Sequence, residues 1–297
     1  MSRVYRALDV PVPGGLLRVG VWEADEPDAP TALLIHGVTS SHLAWAWLAE
    51  QLPGVRLIAP DLRGRGRSNG VSGAGGLAVH ADDMVAVLDA VGVQRTLVVG
   101  HSMGAFVAVA LAHRHPERVA AVLLVDGGLP LDVPAGLDPE TVVSLILGPT
   151  AERLNLRFAD PGAYLDFWRD HPAFRDAWSA ELEEYFVYDL EPDGDRFRPA
   201  TSYRTTVDDT VDMNSGATLP DALTALSHDT VLLTVPRGLQ DERPGLYAPD
   251  RLDGLLERMP QVRHHRIAGF NHYTILLSPA GAAAVAGHVR EALAPAG

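Results

Sequence analysis

Ser102 lies in the pentapeptide GHSMG (100–104), between the apolar run Thr96–Val99 and the segment AFVAVALAHRHPE. A serine hydroxyl is a weak nucleophile at neutral pH and needs a positioned base to take its proton. A tight strand-to-helix turn would lift it clear of a sheet, with Gly100 and Gly104 relieving the crowding around it. The same turn would place the N–H of Met103 at a helix N-terminus, where it can stabilise a developing oxyanion. The simpler alternative for such a serine is a helix N-cap. A second oxyanion donor fits the segment LLIHGV, where His36 and Gly37 end a strand and Val38 offers its N–H.

The base must be one of twelve histidines. His101 is expected to face away from Ser102 in such a turn. His80, His113 and His115 lie on or beside helices, as surface or packing residues. His272, in AGFNHYTILL, follows a strand in a loop that can swing over the serine. The acid that orients it has two candidates. Asp241 follows Gly238 in VLLTVPRGLQDERPG and is the first choice. Asp126, at the strand end of VLLVDGG, is the alternative, with a turn-forming role as its structural reading. Either keeps the chain order serine, aspartate, histidine.

The elements that must position these groups follow from hydrophobic patterning. RALDVPVPGGLLRVGVWEA reads as two strands joined through Pro13–Gly15. From Thr31 to Gly128 short apolar runs alternate with helical periods, giving strand, helix, strand, helix, strand, helix, strand. Such alternation implies a parallel sheet covered by helices on both faces. The rhythm breaks between residues 129 and 227, where most aromatics fall. It resumes with DTVLLTVPRG, APDRLDGLLERMP, VRHHRIAG and an alanine-rich helix. The expected organisation is a core over 1–128 and 228–297 with a helical cap over 129–227.

The totals bound the chemistry. The chain has 297 residues, 47% hydrophobic and 21% charged, which is globular composition. Absence of cysteine rules out thiol nucleophiles and thiolate metal sites. All 24 basic residues are arginine, so Schiff-base and P-loop lysines are ruled out too. A net charge of −14 opposes binding to nucleic acid or to anionic membranes. No apolar signal region or bilayer-length run is seen, so a cytoplasmic protein without metal or cofactor is expected. An exposed cap surface could make a homodimer.

The segments HGVTSS, PDLRGRGRS, GHSMG, GLQD and GFNHYT, in this order, resemble the α/β-hydrolase superfamily over nearly the whole chain. The resemblance implies a mostly parallel eight-stranded sheet with a cap inserted after the sixth strand. It implies a triad Ser102–Asp241–His272, with the Asp126 position used in some members, and Val38 and Met103 as the oxyanion hole. Arg243 and Glu242 beside Asp241 could compete for its hydrogen bonds. Serine at the nucleophile position separates the chain from aspartate-nucleophile epoxide hydrolases and dehalogenases. PDLRGRGRSNG is usually a structural loop in this fold rather than a phosphate site.

The implied activity is hydrolysis of a carboxylic ester or lactone of a hydrophobic, ring-bearing small molecule, with Trp168, Trp178 and Tyr188 of the cap expected to line its pocket. The acid-rich run from Glu181 to Asp195 reads as a solvated helix face and loop. Two alternatives use the same scaffold. One is carbon–carbon bond hydrolysis of a diketone-like ring-cleavage product; the other is a ligand receptor that turns over slowly.

Overall fold

The computed structural model describes residues 3–134, 136–148 and 152–294. Its sheet has eight strands: β1 (Tyr5–Val12), β2 (Gly15–Trp22), β3 (Thr31–Ile35), β4 (Arg56–Pro60), β5 (Thr96–His101), β6 (Val119–Val125), β9 (Thr230–Thr234) and β10 (Val262–Arg266). They lie in the order β1-β2-β4-β3-β5-β6-β9-β10. The β1–β2 and β2–β4 pairings are antiparallel, and all later ones are parallel. The expected hairpin at Pro13–Gly15 and the expected strand–helix alternation from Thr31 onward are both present.

The continuous apolar runs of the central strands follow from burial on both faces. Because side chains alternate across a strand, Leu33, Ile35, Val98 and Leu124 pack with helices α2 (Leu77–Ala90) and α3 (Met103–Arg114). Ala32, Leu34, Leu97, Val99 and Leu123 turn to the other face, with α1 (Ala46–Gln51) and α10 (Pro279–Leu293). The chain leaves β3 for β4 on one side and returns to β5 on the other. The loops after β3 and β5 therefore diverge and open a crevice at the carboxyl ends of the strands, where open α/β sheets bind ligands.

The segment between β6 and β9 carries helices α4 (Pro139–Leu147), α5 (Pro161–Arg169), α6 (Ala180–Tyr188), α7 (Tyr203–Ser215) and α8 (Thr218–Thr224). It also carries a hairpin, β7 (Leu190–Asp193) with β8 (Arg196–Pro199), turning at Gly194 with φ +67°. The hairpin replaces the loop expected within the acidic run, because Gly194, first in the two-residue turn Gly194–Asp195, accepts positive φ. This segment is bound to the sheet through buried polar contacts. Tyr188 donates to the carboxylate of Asp61 at 2.7 Å, and Asp209 of α7 pairs with the buried Arg65 at 2.5 Å. Among the described residues no helix is long and apolar enough to cross a membrane.

Candidate active site

The backbone around Ser102 is strained in the way that a projecting nucleophile requires. Its φ is +52° and ψ −124°, a conformation that costs a non-glycine residue on the order of 1–3 kcal/mol. Three glycines permit it. A Cβ on Gly100 would lie 2.2 Å from the carbonyl oxygen of Gly104, and one on Gly104 would lie 1.9 Å from that of Ile35. A Cβ on Gly127 would meet the Ser102 carbonyl oxygen at 2.3 Å. Strand β5, Ser102 and helix α3 are thus packed backbone to backbone. Met103 opens α3, so its N–H is one of the amides that a helix cannot satisfy internally.

His272 is 97% buried in the loop after β10, and three contacts fix its position. Its N–H donates to the Arg237 carbonyl at 3.0 Å, and its own carbonyl accepts from His101 Nε2 at 2.9 Å. Its Nδ1 lies 2.7 Å from Asp126 Oδ2. Asp126 is completely buried at the end of β6, with φ +45°, and its other oxygen accepts the Val235 N–H at 3.3 Å. A carboxylate can only accept, so the imidazole proton stands on Nδ1 and the Nε2 lone pair is free to serve the cavity.

Asp241 does not take the orienting position preferred from the sequence. Its carboxylate bonds Arg237 at 2.9 Å and the side-chain amide of Asn271 at 2.8 Å. Arg237 lies four residues earlier on the same loop and captures it locally. Glu242, one of the neighbours expected to compete, acts elsewhere: it accepts the Gln240 N–H at 2.6 Å and its carbonyl accepts Gly238 N–H. Asp126, the alternative, occupies the histidine. His101 lines the cavity as well, with its Nε2 bonded to the His272 carbonyl.

The loop bearing Val38 is braced from two sides. His36 Nε2 accepts the Leu62 N–H at 2.9 Å, which leaves Nδ1–H to donate to the Gly37 carbonyl at 2.7 Å. Complete burial lowers its pKa to about 4, so it stays neutral. Arg65, fully buried, donates Nε to the Val38 carbonyl at 2.8 Å and Nη2 to Met103 Sδ at 3.8 Å. One guanidinium therefore touches both residues expected to hold an oxyanion. Asp209 neutralises it and also accepts from Gly76 N–H at 2.6 Å and contacts His80 Nε2 at 3.0 Å. The arginines of PDLRGRGRS are consumed in this scaffolding, Arg63 being paired to Asp83 at 2.8 Å.

Ser102 and His272 line one cavity. Its wall includes Val38, Ser40, Ser41, Tyr164, Trp168, Tyr185, Phe186, Asp189 and Tyr273. Of the three expected cap residues only Trp168 lines it, stacked on Phe186 with centroids 4.4 Å apart. Trp178 lies behind Phe186 and donates to Glu183 at 3.0 Å. Tyr188 is taken by Asp61 and by Arg67, whose guanidinium sits 4.7 Å over its ring. Tyr164, Tyr185 and Asp189 were not singled out from the sequence; Tyr185 directly precedes Phe186 and Asp189 directly follows Tyr188, on a helical turn that only packing could orient. Among the described residues no group of three or more histidines and carboxylates is placed to hold a metal ion.

Residues 30–159 match the family model for the alpha/beta hydrolase fold. Lipase LipV of Mycobacterium tuberculosis is 40% identical over 107 residues, 36% of this chain and 41% of LipV. Epoxide hydrolase A of the same organism is 32% identical over 191 residues, 61% of this chain and 54% of that enzyme. The chain thus spans about half or less of the length of these relatives. The thioesterase domain from the curacin biosynthetic pathway superposes with a TM-score of 0.75 at 21% identity, covering 97% of this chain and 99% of that domain.

Two outcomes follow from this geometry. Asp126→Asn should lower kcat for a hydrolysed ester by about 10⁴-fold, the loss expected when the imidazole is left in the wrong tautomer. Asp241→Asn should cost far less, and the reverse ranking in a kinetic comparison would return the role to Asp241. The second outcome concerns acid stability. Unfolded His36 titrates near the ordinary imidazole value of 6.5 and the folded group near 4, so the unfolded chain binds the extra proton in between. Its contribution, on the order of 3 kcal/mol, is present above pH 6.5 and is lost as pH falls toward 4. Urea unfolding from pH 7 to 4 should show that decline, and His36→Gln should flatten it; an equally steep decline in the variant would count against this assignment.

Proposed function

The chain has the α/β-hydrolase fold, and from that premise we propose that it is a serine hydrolase of carboxylic esters or lactones built on hydrophobic, ring-bearing small molecules. The observation that carries the reading is the buried 2.7 Å bond between His272 and Asp126. It holds the imidazole in one tautomer at the wall of the cavity that Ser102 enters. The aromatic wall formed by Tyr164, Trp168, Tyr185 and Phe186 supports an apolar substrate.

In this reading Ser102 Oγ attacks the acyl carbon while its proton passes to His272 Nε2. The carbonyl oxygen, now an alkoxide, is held by the N–H groups of Val38 and Met103. Collapse of the adduct breaks the acyl carbon–oxygen bond, and His272 returns the proton to the departing alcohol oxygen. A water then gives its proton to His272 and its oxygen to the acyl carbon. The free acid leaves and Ser102 regains its hydrogen. Throughout, Asp126 remains ionised and stabilises the transient imidazolium.

A fluorophosphonate should add once to the protein, as read by intact mass, and not at all to Ser102→Ala. The same substitution should lower ester hydrolysis by about 10⁴-fold or more. A panel of esters, lactones and a ring-fission dienoate supplies the discriminating arm. Turnover of the dienoate with no turnover of esters would replace ester hydrolysis by carbon–carbon bond hydrolysis. A stable adduct without turnover of any substrate would favour a receptor.

A further inference from the structure

The chain just before α5 runs beside β8. Phe158 and Phe197 exchange both backbone hydrogen bonds there, at 2.8 and 2.9 Å, in an antiparallel bridge. In that register Arg157 stands opposite Arg198, and both line one cavity of about 440 Å³. Like charges directly opposite each other across a strand pair are unfavourable. Their counter-ions satisfy them only in part. Arg157 donates Nε to Asp193 and Nη1 to the Leu156 carbonyl, which leaves Nη2; Arg198 gives Nη2 to Glu191, which leaves Nε and Nη1. Neither Asp193 nor Glu191 is in the wall of the cavity, whose described residues include no acid although the chain carries a net charge of −14.

The rest of the wall offers neutral hydrogen-bonding groups. The Asn155 amide and the Tyr203 hydroxyl bond no other described residue. Ser202 Oγ accepts from the N–H and the hydroxyl of Thr205, at 3.3 and 3.2 Å, and keeps its own proton free. Leu154 and Ala200 are the apolar members, and both are buried. No described residue of this wall lines the active cavity. Thr201 separates the two: it lines the outer one and donates at 3.1 Å to Asp189, which lines the inner one.

A hydrocarbon ligand would leave these donors without partners. Guanidinium N–H groups bond most strongly to carboxylate and phosphate oxygens. A carboxylate, with two oxygens, is satisfied by a single guanidinium fork. A phosphate monoester has three terminal oxygens and nearly two charges, so it can answer two arginines at once. The volume falls within the roughly 300–1,000 Å³ of small-molecule sites and leaves room for more than an inorganic anion. Amide and hydroxyl groups suit further hydroxyls on the same molecule. We propose that this cavity is a second ligand site, separate from Ser102, for the phosphate monoester of a sugar-sized polyol. The assignment is independent of the reaction at Ser102.

Calorimetric titration of the full chain with glucose 6-phosphate, glucose, glucuronate and inorganic phosphate tests it. Glucose 6-phosphate should bind about tenfold or more tightly than each of the other three. Arg157→Gln and Arg198→Gln should each weaken it by on the order of tenfold or more, the loss of a hydrogen bond to a charged group. Asn155→Leu should weaken it by about fivefold, the loss of a neutral one. Ser102→Ala should bind it as the wild type does.

No binding of glucose 6-phosphate, or binding unchanged in both arginine variants, overturns the site. Inorganic phosphate or glucuronate bound as tightly as glucose 6-phosphate overturns the ligand class. Binding lost in Ser102→Ala would put the ligand in the active cavity and overturns the proposal too. Arg157 and Asn155 are exposed, and circular dichroism reports whether each variant is folded. Should an arginine variant fail to fold, Asn155→Leu decides the matter: unchanged affinity there counts against the site.

Discussion

The site depends on one buried contact, the hydrogen bond between Asp126 and His272. A carboxylate with no exposure to water is costly unless its oxygens are satisfied. Asp126 meets that demand with Val235 N–H on one oxygen and the imidazole on the other. The same bond decides which imidazole nitrogen is left for the serine. Through both oxygens Asp126 ties three separate stretches of chain: the end of β6, the start of the loop after β9, and the loop after β10. The His272 loop is secured on its other side by His101 Nε2 and the Arg237 carbonyl. The orientation of the imidazole is thus a matter of folding.

A second set of buried polar groups does the same for the two expected oxyanion donors. His36 links the end of β3 to Leu62, and Arg65 reaches from the glycine-rich loop to Val38 and Met103. The charge on Arg65 is offset by Asp209, which is contributed by α7 from the segment inserted between β6 and β9. That segment is therefore more than a roof over the cavity: it supplies the counter-ion of the group that braces Val38 and Met103. Asp61 is a parallel case, since Tyr188 of the same segment is one of four groups bonded to it; the imidazole and amides around it hold its pKa near 2 despite burial. Removing either contact should disturb the inserted segment and the sheet together.

Much of this arrangement is legible in the sequence where the physics is local. Continuous apolar strands between helical periods are the mark of a sheet buried on both faces, and Ser102 is betrayed by the small residues that its strained turn demands. His272 follows from its place after the last strand. The orienting acid was not decided locally. Two aspartates follow strand ends at the same edge of the sheet, and what separates them is pairing at a distance: Arg237 and Asn271 take Asp241, while Val235 and His272 take Asp126. The lining of the aromatic chamber was only partly visible for a related reason. Trp168, Trp178 and Tyr188 are alike in composition, but helix packing alone determines that the first faces the cavity, the second lies behind Phe186 and the third is spent on Asp61.

The central claim is that the proton between His272 and Asp126 is held in a short, buried bond. A far-downfield proton resonance, assigned to His272 Nδ1–H by nitrogen-15 labelling, tests it without reference to any substrate. The structure predicts such a resonance in the wild-type protein, its persistence in Asp241→Asn, and its loss in Asp126→Asn. Its loss in Asp241→Asn with persistence in Asp126→Asn would contradict the account and move the orienting acid to the loop after β9.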